Sequence, residues 1–149
     1  MPKKRTVAAI FAVSGIAVAL VFGLQYWKNK SNEETDHYRT GTQAKTARDS
    51  MPRWLPDDAT DVTIKLKGTR LDRILKATLP SGKPPVGCKP LEAGTKAEKP
   101  TLDASWFPDK ASARAQFRCP SDPYKGTYYA YMDGKTLYAW FPTALGARD

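Results

Sequence analysis

The polar and apolar positions change character three times along the chain. From Val7 to Leu24 eighteen residues run without a charge, VAAIFAVSGIAVALVFGL. As a helix rising ~1.5 Å per residue, such a run covers ~27 Å, close to the hydrocarbon thickness of a bilayer. Tyr26 and Trp27 follow where an interfacial aromatic belt belongs, and Lys28 ends the run. The pattern predicts a cytoplasmic tail over 1–5 and a transmembrane helix over 6–27. Residues 28–50 then contain no Val, Ile, Leu, Met, Phe or Trp. With so little surface to bury, that stretch reads as a flexible polar stalk.

At Met51 a third pattern starts, and it is one of strands. Asp61–Lys67 alternates, with Val62, Ile64 and Leu66 on one side and Thr63, Lys65 and Lys67 on the other. The next stretch is ambiguous, because Leu71, Ile74, Leu75 and Leu79 also have helical spacing. Its shortness, Pro80 and its strand neighbours favour a strand from about Arg73 to Leu79. Residues 81–100 are rich in Pro, Gly and Lys and read as loop. A further strand is expected over Ala113–Arg118. Two apolar runs flanking Asp133-Gly134 then predict a hairpin on a type I′ turn. Met132 would face Lys135, and Tyr129 would face Tyr138. The fold class expected is one N-terminal transmembrane helix plus a small, mainly β (or α+β) extracytoplasmic domain over 51–145. That domain has an antiparallel sheet and a C-terminal β-hairpin, and 146–149 form a tail.

The membrane segment has a rival reading. Lys3-Lys4-Arg5 also suits a signal peptide, with Ala17-Val18-Ala19 as a cleavage site, although cleavage there would leave a strongly apolar new terminus. The uncleaved anchor is the reading adopted. Orientation rests on a small asymmetry, since Lys28, Lys30 and Arg39 oppose the three basic residues of the tail. Ala8, Ala12, Gly15, Ala19 and Gly23 share one helix face, a candidate packing stripe for another transmembrane helix.

Charge and cysteine content sharpen this picture. The formal net charge is +9, and the basic residues are interleaved with carboxylates. That favours a solvated basic surface over a dedicated polyanion site. Cys88 and Cys119 lack the spacing of a redox pair and have no further metal ligands close in sequence. A structural disulfide is expected, which requires an oxidising compartment and agrees with the domain lying outside the cytoplasm.

Candidate chemistry is sparse. His37 is the chain's single histidine and falls in the expected stalk, so no positioned general base is visible. No G-x-S-x-G or phosphate-cradling loop occurs. Asp57, Asp58 and Asp61 fit no calcium loop and read as turn and cap residues. The expectation is a non-enzyme without a cofactor or metal. The aromatic positions offer the one candidate site. Alternation puts Tyr129, Tyr131, Tyr138 and Trp140 on a single hairpin face, and exposed rings of this kind stack on sugars or anchor protein partners. The competing reading packs those rings under the Trp106-Phe107 loop.

The segments Pro52-x-Trp54-Leu55-Pro56-Asp57-Asp58-Ala59-Thr60-Asp61, Gly87-Cys88, Trp106-Phe107-Pro108, Arg118-Cys119 and Ala139-Trp140 together resemble small membrane-anchored proteins of high-GC Gram-positive bacteria (actinobacteria). The resemblance covers roughly Pro52 to Pro142. It implies a bacterial envelope setting, makes the cysteine bridge more plausible, and implies no particular chemistry. The function expected is a membrane-tethered accessory or binding domain of the cell envelope, N-terminus inside and domain outside. Its expected partners are the lipid bilayer and an envelope protein, another transmembrane helix or a wall glycan, with no nucleic acid. The alternatives are a small subunit of a membrane complex held through its helix and, further off, a glycan-acting enzyme.

Overall fold

A computed structural model of the chain describes residues 32–67, 72–122 and 124–142. The tail over 1–5, the span over 6–27 with its stripe Ala8, Ala12, Gly15, Ala19 and Gly23, and the tail over 146–149 all lie outside the described residues. Among those described, no helix is long and apolar enough to cross a membrane.

The described chain forms a small, mainly β domain built on one seven-stranded antiparallel sheet. In chain order its elements are β1 (Glu33–Thr40), helix α1 (Gly41–Ala47), β2 (Thr60–Lys67), β3 (Arg73–Thr78), β4 (Lys89–Pro90), a 3-10 turn (Ala111–Arg114), β5 (Phe117–Pro120), β6 (Thr127–Asp133) and β7 (Thr136–Phe141). Across the sheet the order is β1-β2-β3-β7-β6-β5-β4.

Of the stalk expected over 28–50, residues 28–31 lie outside the described residues, and the described part is the main correction, because residues 33–47 are β1 and α1. An edge strand is held by the ladder on one side and needs few apolar side chains. Tyr38 packs on the core, and Ala44 of α1 is fully buried. The corner between the two elements is locally specified. The Thr40 hydroxyl accepts the Gln43 N–H at 3.1 Å, and the Gln43 side-chain oxygen accepts the Arg39 N–H at 2.9 Å, a variant of the reciprocal capping box. Arg48 then ties the end of α1 back to β1 through Glu34 at 2.7 Å and through Asp36. Partial burial opposes the Arg48 charge. Its hydrogen bonds with Tyr38 and to the Asp36 and Glu34 carboxylates, together with the Asp36 charge, outweigh that and hold its pKa above the ordinary value.

The alternating segments form the sheet as expected, with two adjustments. The ambiguous stretch is a strand, β3, paired with β2 and with β7 over its whole length. Asp61 takes a positive φ of 48° at a register shift between Thr60 and Thr63, a bulge that bends the start of β2. In place of a strand over Ala113–Arg118 there is the 3-10 turn, followed by β5; the alternation of Ala113, Ala115 and Phe117 imitates a strand's period.

The hairpin forms one step out of the expected register. Asp133 pairs with Thr136, so the two-residue loop is Gly134-Lys135. Positive φ at Gly134 (60°) but not at Lys135 is the type II′ pattern. Because the change moves each partner by two positions, the side chains keep their faces: Tyr129 opposes Trp140 and Tyr131 opposes Tyr138.

Each face of the sheet carries a core. On one, Val62, Ile64, Leu75, Leu137, Tyr128 and Phe141 pack with Met51, Leu55 and Ala44 from the segment joining β1 to β2. On the other, Ile74, Tyr131 and Trp140 pack with Leu102, Phe107 and Ala111 from the segment joining β4 to β5. The Cys88–Cys119 disulfide closes the first face at the β4–β5 edge.

Candidate functional site

The four aromatic residues expected to form an exposed binding face do share one face, but they are covered. Tyr131 and Trp140 are 0% exposed, and Tyr129 and Tyr138 are half-buried. Phe107 lies edge-on to Tyr138 at 5.7 Å and to Trp140 at 6.3 Å between ring centres. Tyr131 stacks on Tyr138 at 5.2 Å, and Arg114 sits 4.4 Å above the Tyr131 ring. The cover is fastened by polar groups as well. Trp140 Nε1 donates to the Glu98 carbonyl at 2.8 Å, and Lys65 Nζ donates to the Asp103 carbonyl at 2.7 Å. A sheet apolar on both faces must hide both, and the long irregular segment after β4 hides this one. No ligand reaches Trp140 while that segment is in place.

The other side chains singled out in the sequence have structural settings. Trp54 Nε1 donates to the Pro120 carbonyl at 2.8 Å, and its ring meets Tyr128 edge-on at 5.3 Å. Asp57 pairs with Lys45 at 2.6 Å, and its carbonyl accepts the Thr42 N–H. His37 Nδ1 lies 2.9 Å from the Thr63 hydroxyl on an exposed part of the sheet. Tyr128 is buried, which pushes its phenol up, against the opposing effect of Arg73 at 3.2 Å. Arg73 also donates to the Ser50 carbonyl at 2.8 Å and lies over the Tyr124 ring at 4.8 Å. These contacts fasten the start of β3 to its surroundings.

Of the clefts open to solvent, one lies beside the disulfide. It has a volume of about 490 Å³ and is lined by Lys89, Glu92, Arg118 and Thr127, with Gly87, Pro90 and Pro120. That volume lies within the range of small-ligand pockets. β4 and β5 place Lys89 directly opposite Arg118 in the ladder, so both cations are on the same side of the sheet. Like charges so paired repel, and both side chains are exposed. Arg118 reaches the Thr127 hydroxyl at 3.4 Å, and neither cation forms an ion pair among the described residues. The arrangement is two cationic donors and a hydroxyl around an open concavity, with one carboxylate at its border. It can hold an anion, and it contains no nucleophile paired with a base.

Among the described residues, no group of three His, Cys, Asp or Glu side chains could hold a metal ion. Sequence reasoning treated Lys89 and Arg118 as scattered surface charge. A signal was nonetheless present: each is the immediate neighbour of a cysteine, in Cys88-Lys89 and Arg118-Cys119. Once those cysteines are bridged across an antiparallel pair, their neighbours must come face to face.

No protein-family model, curated protein or solved structure matches the chain.

Proposed function

We propose that the chain is a membrane-tethered binding domain of the bacterial cell envelope and that it holds an anionic group in the cleft between Lys89 and Arg118. The uncharged run Val7–Leu24 supports the tether, and the Cys88–Cys119 bridge supports an extracytoplasmic setting. The observation that carries the reading is the unneutralised Lys89–Arg118 pair on the wall of an open cleft. Two cations placed to repel one another are relieved by a shared anion, whether a phosphate or a carboxylate. The aromatic face does not enter this reading.

The test is titration of the full chain, in detergent micelles, with polyphosphate and with polyglutamate. A Lys89→Glu/Arg118→Glu variant is expected to lose at least about tenfold in affinity for one of them, as when a small set of ionic contacts is reversed. Both side chains are exposed, so its melting temperature should match the wild type. Equal binding by the two proteins refutes the site.

A second reading makes the chain a small subunit of a membrane complex, supported by the stripe Ala8, Ala12, Gly15, Ala19 and Gly23. Replacing the span with an unrelated transmembrane helix abolishes activity under that reading and spares it under the first.

A further inference from the structure

The segment that covers the second core presents a cleft of its own to solvent. The Phe107 N–H donates to the Ala104 carbonyl at 3.0 Å, closing a turn with Ser105 and Trp106 at its tip. Phe107 is buried, edge-on to Tyr138 at 5.7 Å between ring centres, and this contact fixes the turn to the sheet. Trp106 stands edge-on to Phe107 at 5.9 Å and stays half-buried. Between the turn and Tyr138 lies a cleft of about 410 Å³, lined in part by Ser105, Trp106, Asp109 and Tyr138. Its volume suits a small ligand, and it shares no lining residue with the Lys89–Arg118 cleft.

The polar groups on these four residues are uncommitted. Trp54 and Trp140 donate their indole N–H groups to the Pro120 and Glu98 carbonyls, each at 2.8 Å. Among the described residues, the Trp106 Nε1–H, the Tyr138 and Ser105 hydroxyls and the Asp109 carboxylate form no hydrogen bond or ion pair.

Those groups restrict what the cleft can hold. An apolar ligand would take them from water and offer no partner in return. An anion would meet the Asp109 carboxylate. A cation would meet Lys76, which opposes Tyr138 in the β3–β7 ladder and holds its Nζ 6.0 Å from the centre of that ring. A neutral ring with an apolar face and hydroxyls at its rim satisfies all three restrictions. Its face packs on an aromatic side chain, while its hydroxyls accept from indole N–H and donate to carboxylate. Tyr138 is already held by Tyr131, stacked on it at 5.2 Å, and by Phe107, so little of its freedom is lost on binding.

We infer that the Trp106–Tyr138 cleft takes a neutral pyranose unit of a glycan, at a second site separate from the Lys89–Arg118 cleft. The inference does not rest on the anionic reading of that other cleft.

The test is saturation-transfer NMR on the full chain, in micelles of a detergent without a sugar headgroup. The probes are oligomers of glucose and of N-acetylglucosamine. Transfer to ring C–H protons of at least one oligomer is expected. Trp106→Ala should weaken that oligomer's binding at least about tenfold, as when an aromatic anchor is removed. Asp109 is exposed and unpaired among the described residues, so Asp109→Ala should keep the wild-type melting temperature. It should weaken binding at least about threefold, the worth of one hydrogen bond. If Trp106→Ala unfolds early through loss of its contact with Phe107, Asp109→Ala alone decides. Absence of transfer to both oligomers, or undiminished binding by Asp109→Ala, overturns the inference. So does tighter binding of tetramethylammonium than of either oligomer, which would make the cleft a cation site. Displacement of the sugar by polyphosphate also overturns it, by placing the sugar between Lys89 and Arg118.

Discussion

Replacing both cysteines tests what holds the β4 edge of the domain. β4 is two residues long, with two ladder pairs to β5, and a bridge at Cys88 immediately precedes it. The cysteines are 31 residues apart in sequence. Closing a loop of that length removes about 3.7 kcal/mol of denatured-state freedom by loop-closure entropy. The described domain, from Glu33 to Pro142, is about 110 residues long. At ~2.1 cal/mol/K per residue it has a melting entropy of about 0.23 kcal/mol/K, so losing the bridge should lower the melting temperature by about 16 °C. The variant should be Cys88→Ala/Cys119→Ala, because Cys119 is buried and a serine hydroxyl there would need a partner. Near-ultraviolet circular dichroism of the full chain in micelles, oxidised, reduced and substituted, reads the change. A fall under about 5 °C, or about 1 kcal/mol, would refute the reasoning. It would mean that native contacts such as the bond from Leu91 N–H to the Gln116 carbonyl already fix the edge without the bridge.

Substitutions at three further positions probe the cores. In Gly41→Ala the new Cβ would press into the Pro56 carbonyl oxygen and approach the Asp57 oxygen to 3.3 Å, both backbone atoms. A loss of about 1–3 kcal/mol or more is expected from denaturant titration. Trp140→Ala should cost about 3–5 kcal/mol, whereas Trp140→Phe, which gives up mainly the bond to the Glu98 carbonyl, should cost about 1 kcal/mol. Equal, negligible costs would contradict its place under Phe107. Tyr128 has a folded-state pKa above its ordinary value of 10.0 because it is buried. It therefore favours the folded state below about pH 10, and that contribution is lost as pH rises through the folded value. Denaturant midpoints between about pH 8 and pH 11 should fall less steeply in Tyr128→Phe than in the wild type.

Much of the sheet can be read from the sequence because alternation is its direct cause. Val62, Ile64 and Leu66 announce β2, and the hairpin residues keep their faces even though the turn moved by one position. The turn moved because Asp-Gly satisfies two local geometries, and pairing with β3 chooses between them. The Leu79 N–H donating to the Lys135 carbonyl at 2.7 Å is part of that choice. β1 was not legible by composition. Its order comes from main-chain bonding and from Arg48, which lies outside the strand, and no count of apolar residues records either. The cleft was hidden for a similar reason. Lys89 and Arg118 are distant in sequence, and only the bridge and the ladder bring them together.

The two outer strands have a consequence for many copies of the domain brought close together. Unpaired strand edges invite neighbouring sheets to zip together. Here one margin is Lys89-Pro90, where proline offers no N–H, and the other presents Glu33, Glu34, Asp36 and Arg39. Crowding therefore meets margins that resist lateral polymerisation. Such molecules should remain individually dispersed at concentrations where a plainer sheet would grow into fibrils.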